Sequence, residues 1–457
     1  MEADWGVAAL AGSQLQPLWL DNPARPAPRS ALDGSVDTDL LVVGGGFTGL
    51  WAALRAVERR PGRRVVLVEA DRLAEHATGR NGGFCEASLT HGEANARQRW
   101  PEEYDVLHGL GMRNLAQIEE TLARYGIDCG YARGGQLTVA TREHEVSALE
   151  PDLSGFLDTA AVQQQVASPT YLAGRLDADE AALVDPARLA WGLADAAEGL
   201  GVRIAEGTRL ESLRRTKGGV EATTSGGVVR ATDVVLATNV FPSVLRRSAW
   251  RVVPVYDYVL ATEPLTDEQL AALRWDPAIG VTDSGNQFHY YRLTPDRRIL
   301  WGGYDAVYYY GRSIEPGHDD RPETFQTLAR NFAATFPQLE GIRFTHRWSG
   351  VIDTCTRFCA FYGLAHRGRT AYAAGFTGLG VGASRFAADV MLDLLAGQPT
   401  ERTQLEMVRE KPLPFPPEPL AWAAIQITTR SLARHDRTGR RNLWLRALDR
   451  LGLGFDS

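Results

Sequence analysis

At 457 residues the chain is longer than one simple core accommodates, so two intertwined domains are expected. Hydrophobic content of 44% and charged content of 23% are those of an ordinary globular enzyme. A net charge of −7 and a pI near 5.8 argue against nucleic acid as the main partner. Four cysteines make no disulfide framework and suit a reducing cytoplasm. No run approaches the ~18 apolar residues that a membrane-spanning helix needs, so no integral membrane segment is expected. Lys217 and Lys411 are the only lysines among 49 basic residues, which removes lysine from almost every mechanism.

Residues 1–37 read as an N-terminal arm, extended over "NPARPAPRS". Its first basic residue is Arg25, so it lacks the positive start of a secretion signal. A βαβ unit follows from Leu40 to Ala70. In "LLVVGGGFTGLWAAL" a buried strand runs into Gly44, Gly45 and Gly46, then Phe47, Thr48 and Gly49 open a helix. The spacing G-x-G-x-x-G gives Gly44 the tight turn, Gly46 the close approach of a pyrophosphate, and Gly49 the packing of helix on strand. The helix N-terminus then offers free N–H groups to the anion. Glu69 ends the next strand twenty residues after Gly49, where an acid binds a ribose diol and repels a 2′-phosphate, which disfavours NADP.

Further along, "EEYDVLHGLGMRNLAQIEETLARYG" has helical apolar spacing, and in "DPARLAWGLADAAEGLG" Asp185 caps a helix that Gly201 stops. "ATDVVLATN", with Ala237 and Thr238 near its end, is a buried strand. "VVPVYDYVLATEPL" and the hairpin "FHYYRLTPDRRILWGG" are strand-like and predict an antiparallel sheet. "AYAAGFTGLGVGASRFAADVMLDLLAG" repeats the grammar of strand, glycine turn and helix. "PLPFPPEP" is stiff, and from Glu418 onward the tail carries seven arginines against four acids and reads as a helix packed on its own domain, with a membrane or partner dock as the alternative. Because the pieces that complete the dinucleotide sheet are so far apart, FAD is expected rather than NAD.

On these motifs the chain resembles the FAD amine oxidoreductases of the D-amino-acid oxidase, glycine oxidase and sarcosine oxidase superfamily. "ATGRNGGF" is most similar to the γ-glutamylputrescine oxidoreductase group, and the match spans roughly residues 39–397. The resemblance implies an α/β (α+β) fold: a discontinuous Rossmann-like FAD domain of glutathione-reductase type (38–100, 180–245, 345–400) and an antiparallel-sheet substrate domain (101–179, 246–344). Residues 401–457 would be a linker and basic tail.

It assigns Gly44 to Gly49 to the pyrophosphate, Glu69 and Ala70 to the adenosine ribose, and Leu210 to a backbone clamp on adenine. Ala77, Thr78, Arg80, Asn81, Gly82 and Gly83 would run along pyrophosphate and isoalloxazine. Gly375, Thr377, Gly378, Leu379, Gly380 and Val381 would close over the flavin, with a helix N-terminus at its pyrimidine end. Gly350 stands where some relatives carry an attaching cysteine, so the FAD is expected to be non-covalent. Cys355 and Cys359, without a second pair at ligand spacing, read as buried thiols rather than metal ligands, with covalent flavin attachment as the alternative.

For the reaction, Arg80, Asn81, His289, Tyr291, Arg292 and Asp353 are the candidate catalytic residues. Strand alternation puts His289 and Tyr291 on one face, Tyr290 and Arg292 on the other. Ile352 takes the place of the arginine that holds a carboxylate in amino-acid oxidases of the superfamily. Asp353 beside it would draw a cationic group, and Arg292 could supply the missing fork. The expected substrate is a small amine, polyamine-like or secondary, oxidised by hydride transfer to flavin N5 and imine hydrolysis. Where relatives place a lysine for oxygen, this chain has Leu300 and Trp301, so O2 or another acceptor remains open. The rivals are a flavin dehydrogenase feeding a quinone or protein, an amino-acid oxidase of glycine or sarcosine type, and a non-catalytic flavoprotein subunit.

Overall fold

The structure, a computed structural model, describes residues 4–241 and 244–453. Residues 1–3, 242, 243 and 454–457 of the stretches named above lie outside them. The strand Val36–Val43 and the helix Phe47–Arg59 flank the glycine turn. That strand pairs in parallel with Val65–Val68 and with Gly227–Leu236. Arg203–Ala205 and Thr370–Ala374 add to the two sides, again in parallel. Buried on both faces, these strands are near-continuous runs of Val and Leu, as a covered parallel sheet requires. The helices Phe47–Arg59, Pro186–Gly199 and Gly380–Ala396 pack together on one face around a shared core that includes Trp51, Leu193 and Met391. Asp185 caps the second of these, accepting from the N–H groups of Ala187 and Arg188 at 3.0 and 2.9 Å.

The second sheet has nine strands among the described residues, and its longest pairing, of Val252–Thr262 with Phe344–Cys355, lies next to one edge. It is mixed rather than purely antiparallel. Gln14–Leu15 lies parallel to Phe344–Cys355, and Gly280–Asp283 parallel to Gln136–Ala140. Two sequence boundaries therefore shift. Residues 345–355, grouped by sequence with the dinucleotide segments, pair along their length in this sheet. The N-terminal arm is not a free surface arm either: its own Trp19 and Leu20 are buried, and the Trp19 indole donates to the Asn81 carbonyl at 2.8 Å. Amphipathic short segments of this kind have too few residues for a period to show.

The tail folds as the helix Leu420–Thr438 and a shorter one, Leu443–Arg450, joined through a left-handed Gly439. No helix among the described residues is long and apolar enough to cross a membrane.

Candidate active site

Between the two sheets lies a cavity of about 1290 Å³. Gly46, Phe47 and Thr48 line one end of it, where the strand turns into the helix. Gly44 has φ +111°, open to glycine alone without strain, and a Cβ there would strike the Ala237 carbonyl. A Cβ on Gly49 would land on the carbonyl oxygen of Gly44 and 3.3 Å from Val42 Cγ1. Helix and strand are thus closed to their limit, and the first turn of the helix faces the cavity with the N–H groups an anion needs. Gly45 donates its N–H to Glu69 Oε2 at 2.6 Å, and Asp71 donates to Oε1 at 2.9 Å. Burial raises the Glu69 pKa against the pull of those two N–H groups. Ala70 borders a smaller hollow that runs to Arg29 and Gly207. Leu210 lies outside both hollows and packs with Val66 and Ala222 beneath the sheet.

Ala77, Thr78, Arg80, Asn81 and Gly82 form the next stretch of wall. Thr78 Oγ1 accepts from Phe47 N–H at 3.0 Å, tying this loop to the glycine turn. Asn81 holds the loop from within: its amide donates to the carbonyls of Ala77 and Thr78, and its oxygen accepts from Gly83. Arg80 donates to the carbonyls of Glu75 and Ser349 and pairs with Asp319 at 3.2 Å. Ala237 and Asn239 also line the cavity, Thr238 does not. The Asn239 side-chain oxygen is buried with no partner. Opposite, Thr377, Gly378, Leu379, Gly380 and Val381 line the wall where the helix Gly380–Ala396 begins. Gly375 (φ +80°) lies behind them, its close neighbours Cys355 and Phe361. Two glycine turns, two helix N-termini and an orphaned amide oxygen around one elongated cavity fit a dinucleotide with a ring system at its far end. The residues present fit FAD.

The four catalytic candidates outside that loop are placed differently from expectation. Alternation along His289–Leu293 is as expected, but the cavity is on the other face. His289 and Tyr291 point into the core with Trp301 and Phe336. His289 Nδ1 is 2.5 Å from Asp283 Oδ2, and Tyr291 shares a hydroxyl contact of 2.7 Å with Tyr171. Tyr290 is the residue in the cavity wall, its ring held between Gly82 and Gly302 and its hydroxyl donating to Asp257. Burial pushes the Asp257 carboxyl up to about 6. Arg292 shares the face of Tyr290 but sits past the end of the cavity. It is buried, and donates to the carbonyls of Val184 at 2.7 Å and Gly83 at 3.3 Å. Burial pushes its pKa down to about 10. Such an arginine holds two loops together and has no fork left for a substrate. Asp353 does line the cavity, yet its oxygens accept from the N–H groups of Gly375 at 2.5 Å and Phe376 at 3.1 Å. It shapes the second glycine turn instead of attracting a cation.

The Cys355 thiol is buried and directed at the carbonyls of Cys359 and Gly375 at 3.2 and 3.4 Å, and burial pushes it up. No group of His, Cys, Asp and Glu among the described residues could hold a metal ion. Gly350 lines the cavity, and a Cβ there would meet Arg80 at 3.6 Å, an ordinary contact. With no nucleophile there, precipitating the yellow protein with acid should leave all the colour in the supernatant. Colour in the pellet would establish a covalent bond.

Sequence reasoning missed three features. Tyr290 was legible as a face, but not as the cavity face. Glu86, on the strand Phe84–Glu86, lines the cavity and carries no motif. The tail puts Ala424, Ile425, Thr428 and Leu432 of its long helix, and Leu445 and Leu448 of the short one, into the cavity wall. Only its amphipathic character hinted at a covered face.

Comparison with known proteins agrees with this geometry. Gamma-glutamylputrescine oxidoreductase of Escherichia coli is 31% identical over 389 residues, 81% of this chain and 86% of that one. Probable oxidoreductase OrdL of Haemophilus influenzae is 27% identical over 376 residues, 79% and 83% of the two chains. Glycine oxidase from Geobacillus kaustophilus has the same fold, with a TM-score of 0.67 at 20% identity, covering 82% of this chain and 99% of that one. The family described as DAO, FAD dependent oxidoreductase, matches residues 39–394. The chain is a member of this family of FAD-dependent oxidoreductases.

Proposed function

We propose that the enzyme oxidises the C–N bond of a small amine, polyamine-like or secondary, and discriminates against simple α-amino acids. The supporting observation is that every arginine of the cavity wall is already engaged. Arg80 binds Asp319 and two carbonyls, Arg97 binds Glu93, and Arg175 binds Glu150 and Asp177. Arg292 lies outside the cavity. An unpaired carboxylate entering past Ile352 would lose several kcal/mol in desolvation. The name of the Escherichia coli relative points to the same class of substrate.

When bound, FAD accepts a hydride from the carbon next to nitrogen, and the rest falls to the chain. The glycine turns hold the cofactor. Tyr290, braced by Gly82, Gly302 and Asp257, gives a rigid flat wall that limits the poses of the reacting carbon. Val351, Ile352 and the apolar side chains of the tail exclude water and favour the neutral amine at the reacting end. The amine lone pair supplies the push, so no strong base is needed from the protein. Water then hydrolyses the imine to a carbonyl and the shorter amine or ammonia.

Anaerobic mixing should bleach the flavin with putrescine derivatives or other amines, and much more slowly with glycine, sarcosine or D-alanine. Faster bleaching by the amino acids, abolished in Arg80→Met, would overturn the reading. A second reading concerns the acceptor. No lysine lines the cavity, and Lys411 instead donates to the Tyr362 carbonyl. This favours a dehydrogenase that passes electrons to a quinone or protein, for which slow reoxidation of the amine-reduced enzyme in air is the sign.

A further inference from the structure

Nine carboxylates line the cavity: Glu86, Glu93, Glu150, Asp177, Glu180, Asp257, Asp283, Asp305 and Asp353. Eight have partners within the protein. Arg97 takes Glu93, and Arg175 takes Glu150 and Asp177. His108 meets Glu180 at 3.0 Å, Tyr290 donates to Asp257, and His289 meets Asp283. Asp305 accepts from Arg321 and Thr324, and Asp353 from two backbone N–H groups. The Glu86 carboxylate has neither a hydrogen bond nor an ion pair among the described residues. Burial alone pushes its carboxyl up to about 7, with no neighbouring charge contributing.

This position is built, not incidental. The backbone of Glu86 is fixed on one side by pairing with Ala181. On the other it abuts the first turn of the helix Gly380–Ala396, so closely that a Cβ on Gly382 would strike the Glu86 carbonyl. The following residue is tied down as well, Ala87 donating its N–H to the Glu180 carbonyl at 2.7 Å. A half-buried carboxyl on a fixed stretch of backbone, facing a cavity with no partner inside the protein, is free to pair with a cation that enters.

We propose that Glu86 is the recognition residue for a second, non-reacting ammonium of the substrate, so that the preferred substrates are diamines and longer polyamines rather than monoamines. The assignment rests on the amine reading above and adds to it which end of the molecule is read by charge. The reacting nitrogen enters neutral beside Tyr290 and Ile352, and the remote one stays protonated and is bound by Glu86.

The test uses the FAD-loaded full chain and matched pairs: 1,4-diaminobutane against butylamine, and 1,6-diaminohexane against hexylamine. Two quantities are read, the anaerobic rate of flavin reduction and the perturbation of the oxidised flavin spectrum on titration. Wild type should prefer the better diamine over its monoamine on the order of 10–100-fold, the worth of one charge-assisted bond. Glu86→Gln should bring that ratio close to one by slowing the diamine far more than the monoamine, with flavin content retained, and Glu86→Asp should restore part of it. A ratio unchanged in Glu86→Gln overturns the proposal, as does an equal loss for diamine and monoamine, which would mean a structural role. If no amine reduces the flavin but the diamine still perturbs its spectrum at tenfold lower concentration in wild type than in Glu86→Gln, the oxidation reading falls and the cation site stands.

Discussion

Gly49→Ala should yield a protein with less than about a tenth of the wild-type FAD, because the helix that presents its N–H groups to phosphate can no longer sit against its strand. The new Cβ lands on the Gly44 carbonyl oxygen, 3.0 Å from its carbon and 3.3 Å from Val42 Cγ1. Neither neighbour can give way. Gly44 is pinned at φ +111° against the Ala237 carbonyl, and Val42 is wholly buried in the middle of the sheet. Relief requires the helix Phe47–Arg59 to lift, which pulls Phe47 N–H from Thr78 and opens the packing around Trp51. Overpacking of this kind costs about 1–3 kcal/mol or more in stability. The measurement is the ratio of flavin to protein absorbance after desalting, with Gly317→Ala, where a Cβ meets nothing within 4 Å, as the control. Full occupancy in Gly49→Ala would mean that this turn does not carry the pyrophosphate.

That turn was legible in the sequence because its constraints are local. Positive φ, close approach and a helix start each leave a residue type at a fixed offset, and Glu69 follows at the offset that one helix and one strand dictate. The helix Pro186–Gly199 was legible for the same reason, through Asp185 and Pro186. Tyr290 and His289 show where legibility stops. Alternation gives the parity of a strand but not its phase, and the phase is set by what packs on each face, here Trp301 and Phe336 on one side and Gly82 on the other. Arg292 and Asp353 mislead because a charged residue in a strand suggests a ligand, whereas both serve backbone groups of distant loops. Glu86 is invisible to pattern altogether: its significance is the absence of a partner, a property only of the assembled cavity.

Removing residues 418–457 should leave FAD bound but slow amine-driven flavin reduction on the order of 100-fold, since misplacing a substrate by about an ångström already costs that much. The elements around the expected cofactor end at Ala396, so cofactor and tail are held by different parts of the chain. What the deletion takes away is a wall. Ala424, Ile425, Thr428 and Leu432 face the cavity from the long helix, and Leu445, at 2% exposure, and Leu448 face it from the short one. On the proposed amine oxidation, losing them lets water in beside the reacting nitrogen, which then carries its proton and loses the lone pair that would drive the reaction. The wall is fastened rather than loosely draped. Asp436 accepts from the N–H groups of Asn286 at 3.0 Å and Gln287 at 2.9 Å, Tyr308 donates to Glu418, and Arg99 donates to the Gly452 carbonyl at 2.7 Å. Trp444 bonds Thr428 and braces the two helices against each other. Asp436→Ala leaves two backbone N–H groups and the Asn286 amide without this acceptor and should therefore reproduce a fraction of the deletion's effect, raising the amine concentration for half-maximal reduction more than it lowers the limiting rate. Hydrogen exchange over 420–438 should rise in parallel in that variant. Unchanged reduction kinetics in the deletion, with flavin content intact, would show that the tail covers the cavity without serving the chemistry inside it.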